Sequence, residues 1–335
     1  MNKKVMAVAV AAALAVPAAT AMAQTSTVQI GGSFNLLWYY HKPDNPNVGK
    51  KGDTLHMSEP EIFIRGEEKL GGALGSVWFQ CASEADIVSG DAFGLCHRNS
   101  AIGFRGSFGN VFWGNWDVPH KLVTNQIRGA FSGTNALYGG GSRLLHNGSA
   151  SGVPNPPAAS DTEGSNAHSF YRRQSNLVSY HSPSWNGFMV QGAFSSANEH
   201  TGLGLSPLEP RLYSFAGHYR NGPLYVGAAF ERHQDYNPAQ QVVVTAVTPA
   251  GTYRGGDDDS WQIGAAYTFA GVFKLSGMYT RNEYETTMTT KLKTKGWAIY
   301  GDWNIQGPHI VRMAYAKQDD TSGNSPANVG TYVGP

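Results

Sequence analysis

This chain of 335 residues is short of long apolar segments, net charge and cysteine. It has one long apolar run, Val5–Ala23, and its mean hydropathy of -0.32 is too low for a helical membrane protein. The formal net charge is +1 and no tract of basic residues occurs, so the sequence gives no argument for a nucleic-acid partner.

The apolar run indicates export from the cytoplasm. Lys3 and Lys4 precede it, and it ends in the small-residue sequence Ala-Met-Ala, which is the pattern of a cleavable secretory signal peptide. An N-terminal membrane anchor is the alternative, although the alanine-rich run is short and weakly apolar. We predict a signal peptide over residues 1–23 and a mature domain over residues 24–335.

The two cysteines, Cys81 and Cys96, flank the segment Ala82–Leu95 between two predicted strands. An exported chain meets an oxidising compartment in which disulfides persist. We therefore expect a disulfide that closes this loop, with free thiols as the alternative. A zinc site is not credible, because the cysteines lie far apart and only His97 is close by.

Residue patterns for catalysis and metal binding are also missing. The eleven histidines are scattered, and no serine-elbow motif accompanies them. We predict that the protein is not an enzyme and that it has no cofactor. The acidic run Asp257–Asp259 could hold calcium, but it lacks the spaced oxygen ligands of an EF-hand loop. A solvated acidic loop is the preferred interpretation, and no metal site is predicted.

The segment Ser260–Arg281 alternates between two kinds of side chain. Trp261 and Ile263 share one parity, whereas Gln262 has the other, and a break follows at Ala270–Gly271. Because successive side chains of a strand point to opposite faces, this pattern predicts a hairpin with one apolar and one polar face. A transmembrane β-barrel has this signal, with an apolar outer face and a wet interior.

The same pattern recurs along the chain. The predicted strands are Val28–His41, Glu61–Gly66, Gly75–Cys81, Arg98–Arg105, Asn110–Trp116, Asn176–His181, Phe188–Ser195, Tyr213–Arg220, Leu224–Arg232, Trp261–Phe269, Phe273–Arg281, Trp297–Ile305 and His309–Lys317. Short connections alternate with long ones, which is the layout of outer-membrane barrels and is not expected of a soluble sandwich. We predict an all-β fold, a transmembrane antiparallel β-barrel.

Four segments resemble general porins from Gram-negative outer membranes, especially those of β-proteobacteria. They are Glu61–Leu74, Arg98–Gly114, Phe170–Pro183 and Tyr219–Phe230, and their order along the chain is that of the family. The resemblance implies a sixteen-stranded barrel and a homotrimer in the outer membrane, in contact with the lipid bilayer and lipopolysaccharide. It also implies diffusion of small hydrophilic solutes and ions.

The number of predicted strands departs from this family. We identify about thirteen, whereas single-chain bacterial barrels have an even number, and family members continue with three further strands and a terminal aromatic residue. We expect that the sequence is incomplete and lacks about three strands. The alternative is an additional strand at Gln240–Val247, which lies inside a connection.

The longest connection, Asp117–Ser175, follows the fifth predicted strand. In the family this is the third loop, which folds inward and narrows the pore. Glycine, serine, asparagine and proline are frequent in it and suit bends, and a loop this long is uncommon without a function. We predict an inward-folded third loop over about 117–175; a loop extending into the medium is the alternative.

Strand parity and the third loop place charged residues in the channel. The predicted pore-lining and constriction residues are Glu61, Arg65, Arg98, Arg105, Asp117, Lys121, Arg128, Arg172, Arg173, Lys274, Asp302 and Arg312. Arg172 and Arg173 match an arginine pair of the family motif. Arg98 also matches a family arginine, although a salt bridge at the end of a loop explains it equally well.

Three positions depart from the family pattern. Glu61 stands where a basic wall residue is usual, and Asn115 and Ser179 replace common arginines. Because fixed charges on the wall set ion selectivity, these changes weaken any preference for anions. We predict a weakly charge-selective pore that is neutral or slightly cation-preferring.

A substrate-specific uptake channel is the alternative function. Trp78, Tyr39, Tyr225 and Tyr300 share the inward parity and would supply parts of an aromatic and polar binding track. Aromatic residues near strand ends more often form the girdle at the membrane interface. A saturable block of conductance by a solute would distinguish the specific channel from a general one.

Overall fold

A computed structural model describes residues 24–41, 52–85, 94–128, 145, 170–196, 211–234, 257–285 and 291–324. The strands in chain order are β1 (Gln24–His41), β2 (Gly52–Lys69), β3 (Ser76–Glu84), β4 (Ser100–Gly106), β5 (Gly109–Asp117), β6 (Arg173–His181), β7 (Phe188–Ser195), β8 (Arg211–Asn221), β9 (Leu224–Gln234), β10 (Asp258–Phe269), β11 (Phe273–Glu285), β12 (Lys291–Gln306), β13 (His309–Gln318) and β14 (Ser322–Gly323). The residues described include a ten-residue helix, α1 (Pro119–Arg128), and a single 3-10 turn at Gly72–Leu74.

The strands form one antiparallel sheet in which β1 to β13 follow one another in chain order, and β14 pairs with β12. Each predicted strand overlaps one of β1 to β13, so the predicted all-β antiparallel fold is confirmed. Among the residues described, β1 pairs with β2 alone and β13 pairs with β12 alone. The predicted signal peptide and the stretch Gln240–Val247 lie outside these residues.

Several strands are longer than predicted. β2 begins at Gly52, nine residues before the predicted strand start at Glu61, and it pairs with β1 as far as His41. β11 likewise continues to Glu285 beyond its predicted end at Arg281, and β12 begins at Lys291 before its predicted start at Trp297. The cause is that the N–H and C=O groups of a long strand need partners along its whole length, whatever the side-chain pattern of the neighbour.

The sheet has apolar side chains on its exposed face and polar side chains on its buried face. In β10, Ile263 is 50% exposed, whereas the adjacent Gln262 is 1% exposed. Thr280 lies opposite Gln262 on β11 and is fully buried. This arrangement is the reverse of a water-soluble sandwich and is typical of a barrel whose outer face contacts lipid. We call the face that carries Gln262 the inner face.

The hairpin of β10 and β11 closes with a tight turn at the break predicted from the sequence. Ala270 and Gly271 both have positive φ, 49° and 73°, and the Val272 N–H donates to the Phe269 carbonyl at 2.9 Å. Positive φ at both central residues defines a type I′ turn, which matches the twist of antiparallel strands.

No helix in the ranges given above is long and apolar enough to cross a membrane.

The outer face gives a test of the membrane orientation. Ile263→Lys places a charge at the middle of β10, where we expect a loss of about 2–4 kcal/mol in the free energy of unfolding, because the ammonium group must lie in hydrocarbon. Phe269→Lys, at the end of the same strand, is the matched control with an expected loss of about 1 kcal/mol or less. Urea unfolding from lipid vesicles measures both, and equal losses would contradict the orientation.

Candidate functional site

α1 begins directly after β5 and was not predicted from the sequence. Pro119 occupies its first position, where a missing N–H leaves nothing unpaired, and the Leu122 N–H donates to the Val118 carbonyl at 3.0 Å. Val123 and Ile127 are four residues apart and therefore lie on the same side of the helix. Proline followed by this spacing is the signal that would have indicated a helix.

The C-terminal end of α1 is held by side chains of the inner face. Lys274 Nζ donates to the Gln126 carbonyl at 3.0 Å, and Ser276 Oγ donates to the Ile127 carbonyl at 2.7 Å. Arg220 Nη2 donates to Gln126 Oε1 at 2.5 Å. Helix C-termini carry unpaired carbonyls and partial negative charge, so cationic donors stabilise this end. Lys274, a predicted wall residue, is thus an anchor for α1.

α1 packs on the inner face of β8 to β11, in a groove of small side chains. The buried apolar cluster that joins the helix to the wall comprises Val123, Ile127, Leu145, Ala216, Tyr225, Ala229, Ala266, Met278, Ala298 and Tyr300. Gly264 allows the closest approach, because a Cβ there would lie 2.4 Å from Ile127 Cδ1. Small wall residues such as Gly264 and Ala266 therefore leave room for the apolar side of the helix beside the larger Tyr225, Met278 and Tyr300.

Polar contacts fix the N-terminal end of α1. The His120 backbone N–H donates to Ser214 Oγ at 3.1 Å, and His120 Nε2 lies 2.9 Å from Ser260 Oγ. Ser260 Oγ donates to Asn282 Oδ1 at 2.7 Å, and Gln262 Nε2 donates to the His120 carbonyl. His120 of α1 is thus tied directly to β8 and β10, and through Ser260 to Asn282 of β11.

His120 is fully buried, and this burial lowers its pKa to about 3, although a hydrogen bond with the Phe170 backbone acts in the opposite direction. The imidazole is therefore neutral near pH 7. The Ser260–His120 contact resembles a nucleophile with its base, but Ser260 is also fully buried. A catalytic serine must reach its substrate, so this pair is structural in this conformation.

The predicted residue Arg98 lies on the inner side of the sheet between two carboxylates. Its Nε is 3.4 Å from Glu61 Oε2, and its Nη1 is 3.6 Å from Glu84 Oε2. Arg98 precedes β4, which begins at Ser100, so the predicted strand start at Arg98 is wrong. The salt bridge that was the alternative interpretation of Arg98 is present, and Arg98 also faces inward beside Glu61.

Asp117, Lys121 and Arg173 form a second cluster of charges. Asp117 Oδ1 lies 2.9 Å from Lys121 Nζ and 3.5 Å from Arg173 Nε. Asn99 connects this cluster to the first one, since its Nδ2 donates to Asp117 Oδ2 at 3.0 Å and its Oδ1 accepts from Arg173 Nε at 2.6 Å. Arg98 and Asn99 are consecutive, so both clusters depend on the position of the same short segment.

Arg128 and Arg172 are almost fully buried, at 2% and 1% exposure. Arg128 Nη2 donates to the Tyr171 hydroxyl at 2.6 Å, and its guanidinium lies 4.8 Å from the centre of that ring. The Tyr171 hydroxyl donates in turn to Asn125 Oδ1 at 2.7 Å. Arg128 thus joins α1 to the segment that leads into β6. Arg172 lies buried in that segment, and its carbonyl accepts from the Val118 N–H at 3.4 Å.

The other predicted wall residues lie apart from these clusters. Arg65 Nε donates to Gln29 Oε1 at 2.9 Å on β1, and Arg105 lies on β4 near its turn to β5. Asp302 and Arg312 face each other across β12 and β13, with 3.9 Å between Asp302 Oδ1 and Arg312 Nε. The twelve predicted residues therefore occupy several levels and sides of the inner face rather than one ring. Their roles in permeation stay predictions.

The sequence interpretation missed Glu84, Asn99 and Gln126. Glu84 was missed because the third strand was predicted to end at Cys81, whereas β3 continues to Glu84, which lies opposite Glu61. Extending the alternation of faces three residues beyond Cys81 would have placed Glu84 on the inner face.

The predicted disulfide joins Cys81 and Cys96, with 4.5 Å between their Cα atoms, and is thereby confirmed. Cys81 has the parity of the outer face of β3. Two residues after Cys96, the Arg98 N–H donates to the Ala82 carbonyl at 3.0 Å. The Cys96 N–H donates to Ser83 Oγ at 3.0 Å. The disulfide and these hydrogen bonds determine the position of the backbone at Arg98, whose side chain lies on the inner face beside Glu61.

The predicted aromatic track is not continuous. Trp78 packs with Phe112 and Trp116, whereas Tyr225 and Tyr300 lie beneath α1 at 4% and 1% exposure. The side chain of Tyr39 lies outside the part described. Within that same part, no group of three His, Cys, Asp or Glu residues is arranged to hold a metal ion.

Comparisons with known proteins agree with this geometry. A family model described as Gram-negative porin matches residues 7–334. Outer membrane porin protein 32 of Delftia acidovorans is 27% identical over 332 residues, which cover 98% of this chain and 83% of that protein. An anion-selective porin from Comamonas acidovorans has a TM-score of 0.66 at 23% identity and covers 89% of this chain and 80% of its own.

The trimer form of in-vitro folded OmpT from Vibrio cholerae has a TM-score of 0.57 at 12% identity, with coverages of 90% and 79%. At these identities the two structural matches show a shared fold.

The burial of His120 predicts a dependence of stability on pH. The unfolded chain binds a proton at this residue below about pH 6.5, whereas the folded chain does so only near pH 3. The free energy of unfolding therefore falls as the pH falls through this window, by up to about 1.4 kcal/mol per pH unit. We expect His120→Gln to have a smaller loss between pH 7 and pH 4, measured by urea unfolding.

His309→Gln is the control, because His309 is exposed at the start of β13. Its loss should equal that of the wild type. Equal losses in all three proteins would contradict the role of His120.

Proposed function

The chain belongs to the Gram-negative porin family and is an outer-membrane protein, and we propose that it lets small hydrophilic solutes and ions diffuse with weak charge selectivity. The observation that supports this proposal is the reversed polarity of the sheet, which combines an apolar outer face with a charged and polar inner face. A barrel of this type carries water through its interior.

The constriction is proposed to lie where α1 and the charge clusters project from the inner face. α1 occupies space against β8 to β11, the Asp117 cluster lies at its first turn, and Asn99 connects that cluster to the segment of Arg98. Rings of charged side chains at a narrow level determine which ions enter. The twelve residues predicted from the sequence, together with Glu84, are the proposed determinants.

Weak selectivity is supported by the pairing of opposite charges. Glu61 and Glu84 offset the charge of Arg98, and Asp117 offsets Lys121 and Arg173 in part. The replacement of two common arginines by Asn115 and Ser179 predicts a slight preference for cations. The exposed Arg65 and Arg105 act in the opposite direction, because positive charges on the wall attract anions. The similar porin from Comamonas acidovorans is described as anion-selective, so the sign for this chain stays a prediction.

The proposed partners are the lipid bilayer, lipopolysaccharide and two further copies of the chain in a homotrimer. The similarity in fold to a porin described in a trimer form supports self-association. Light scattering of the detergent-extracted protein tests it, and the mass of a single chain would contradict it. That the protein is not an enzyme stays a prediction, in keeping with its family of channels.

Reversal potentials in a potassium chloride gradient test the selectivity. We expect a cation-to-anion permeability ratio within about threefold of one, because the fixed charges largely offset each other. Glu61→Gln should shift the ratio toward anions, since Arg98 then loses one of its two carboxylates. Glu68→Gln is the control, because Glu68 pairs with Val77 on the other face of β2. A ratio beyond about tenfold in either direction would contradict weak selectivity.

Reduction of the disulfide should shift the permeability ratio toward cations by about twofold, because Arg98 is then held less firmly between Glu61 and Glu84. The double variant Cys81→Ser/Cys96→Ser should reproduce this shift without reductant. In Arg98→Gln the ratio should already be shifted, and the reductant should add nothing. A loss of stability without a change in the ratio would show that the disulfide does not position Arg98.

A further inference from the structure

A cavity of about 470 Å³ opens on the inner face of β1 to β6, away from α1. This volume lies within the range of cavities that take up small organic molecules. Its lining contains two guanidinium groups and a cluster of aromatic rings, so it differs from the charge clusters beside α1. The function proposed above uses only the charge of two of its lining residues, Arg65 and Arg105.

The two guanidinium groups have donors available for an anion. Arg65 donates from Nε to Gln29, and no other hydrogen bond of its guanidinium occurs among the residues described. Arg105 is 51% exposed, and its Nη1 is 3.6 Å from Glu67 Oε2, which is longer than a hydrogen bond. Each guanidinium has five N–H donors, so most of them remain for a ligand.

Aromatic rings hold both guanidinium groups along the wall. The Arg65 guanidinium lies 5.0 Å from the centre of the Phe63 ring, and that of Arg105 lies 5.4 Å from the centre of the Trp78 ring. Such cation–π contacts orient the charge without using its N–H donors. The arginines are thus positioned before any anion arrives.

The cavity also has an apolar aromatic side. The ring centres of Trp78, Phe112 and Trp116 lie 5.3 to 5.8 Å from one another. Trp78 Nε1 donates to Asn110 Oδ1 at 2.7 Å, so the polar edge of the indole is already satisfied. Phe112 is buried at 1% exposure and Trp78 at 7%, whereas Trp116 is only partly buried. A ligand therefore meets Trp116 and the small accessible part of Trp78, where an aromatic ring is favoured in an offset or edge-to-face contact.

We propose that this cavity binds aromatic monocarboxylates during their passage, a proposal that rests on the channel function above. The carboxylate accepts hydrogen bonds from Arg65 and Arg105, which match its planar geometry, and the ring packs against the side formed by Trp78 and Trp116. Glu67 supplies one negative charge beside the two arginines. The net charge of the cavity is therefore that of one cation, which suits an anion with a single charge.

Block of the potassium chloride current through single channels in a planar bilayer tests the proposal. Benzoate is the probe, acetate supplies the carboxylate alone, and benzyl alcohol supplies the ring alone. We expect benzoate to reduce the current saturably, with half-block in the low millimolar range, and each of the other two to be at least about tenfold weaker, because each makes only one of the two contacts.

Variants locate the site. Arg105→Gln and Arg65→Gln should each raise the half-blocking concentration of benzoate by about tenfold, because a charge-assisted pair is lost. Arg312→Gln is the matched control, since it removes an inner-face cation outside the cavity. It alters the charge of the wall, but it should change the half-blocking concentration by less than about twofold, because no contact with benzoate is lost. Trp78→Leu should weaken the block by benzoate and leave that by acetate unchanged. The two arginine variants decide the result if Trp78→Leu does not fold.

The outcomes separate this proposal from the channel function. A conducting channel that benzoate does not block saturably overturns the binding site and leaves the channel in place. Equal block by acetate and benzoate overturns the aromatic part of the proposal. An equal effect of Arg312→Gln and Arg105→Gln overturns the assignment to this cavity. The absence of any conductance contradicts the channel function itself.

Discussion

Unpaired backbone N–H and C=O groups are very costly in hydrocarbon, and this constraint governs the structure. From β2 to β12, each strand pairs with both neighbours in the sheet, so the backbone requirement is met without any contribution from side chains. The side chains are then free to sort by solvent, apolar residues toward lipid and polar residues toward the interior. A charged inner wall is possible because the fold does not depend on an apolar core at its centre.

One part of the inner face packs against α1, and another part borders the cavity. Along β8 to β12 small residues such as Ala229, Gly264 and Ala266 leave room for α1 to lie flat against the sheet. Along β1 to β6 larger charged and aromatic side chains remain uncovered by the helix and border a cavity. Among the residues described, α1 therefore occupies the room beside β8 to β11, whereas the cavity with Arg65 and Arg105 lies beside β1 to β6.

The sequence predicted the features that follow from the alternation of side chains between the two faces of a strand. Alternation located all of β1 to β13, the turn at Ala270–Gly271 and the parity of most wall charges, because those depend on local geometry alone. The length of β2 was underestimated, since it depends on pairing with β1, which no local pattern records. α1 was missed because glycine, serine and proline dominate the loop around it, and its short apolar side becomes evident only against the wall.

Contacts between distant segments were the least predictable part of the site. Asn99 joins the Asp117 cluster to Arg98 only because β3, β4 and β5 bring their ends together. Tyr225 and Tyr300 have inward parity, as predicted, but α1 covers them and removes them from contact with solutes. Parity determines the face of a side chain, whereas exposure on that face depends on what else packs there.

The disulfide between Cys81 and Cys96 allows the sequence between the cysteines to change without a change in the position of Arg98. The longer connections of outer-membrane barrels face the exterior of the cell, where phages, antibodies and competing microbes favour rapid sequence change. Because the chain is held again at Cys96, two residues before Arg98, insertions or deletions between the cysteines need not move the arginine. We therefore expect homologous chains to vary between the two cysteines while the charge at the channel wall keeps its place.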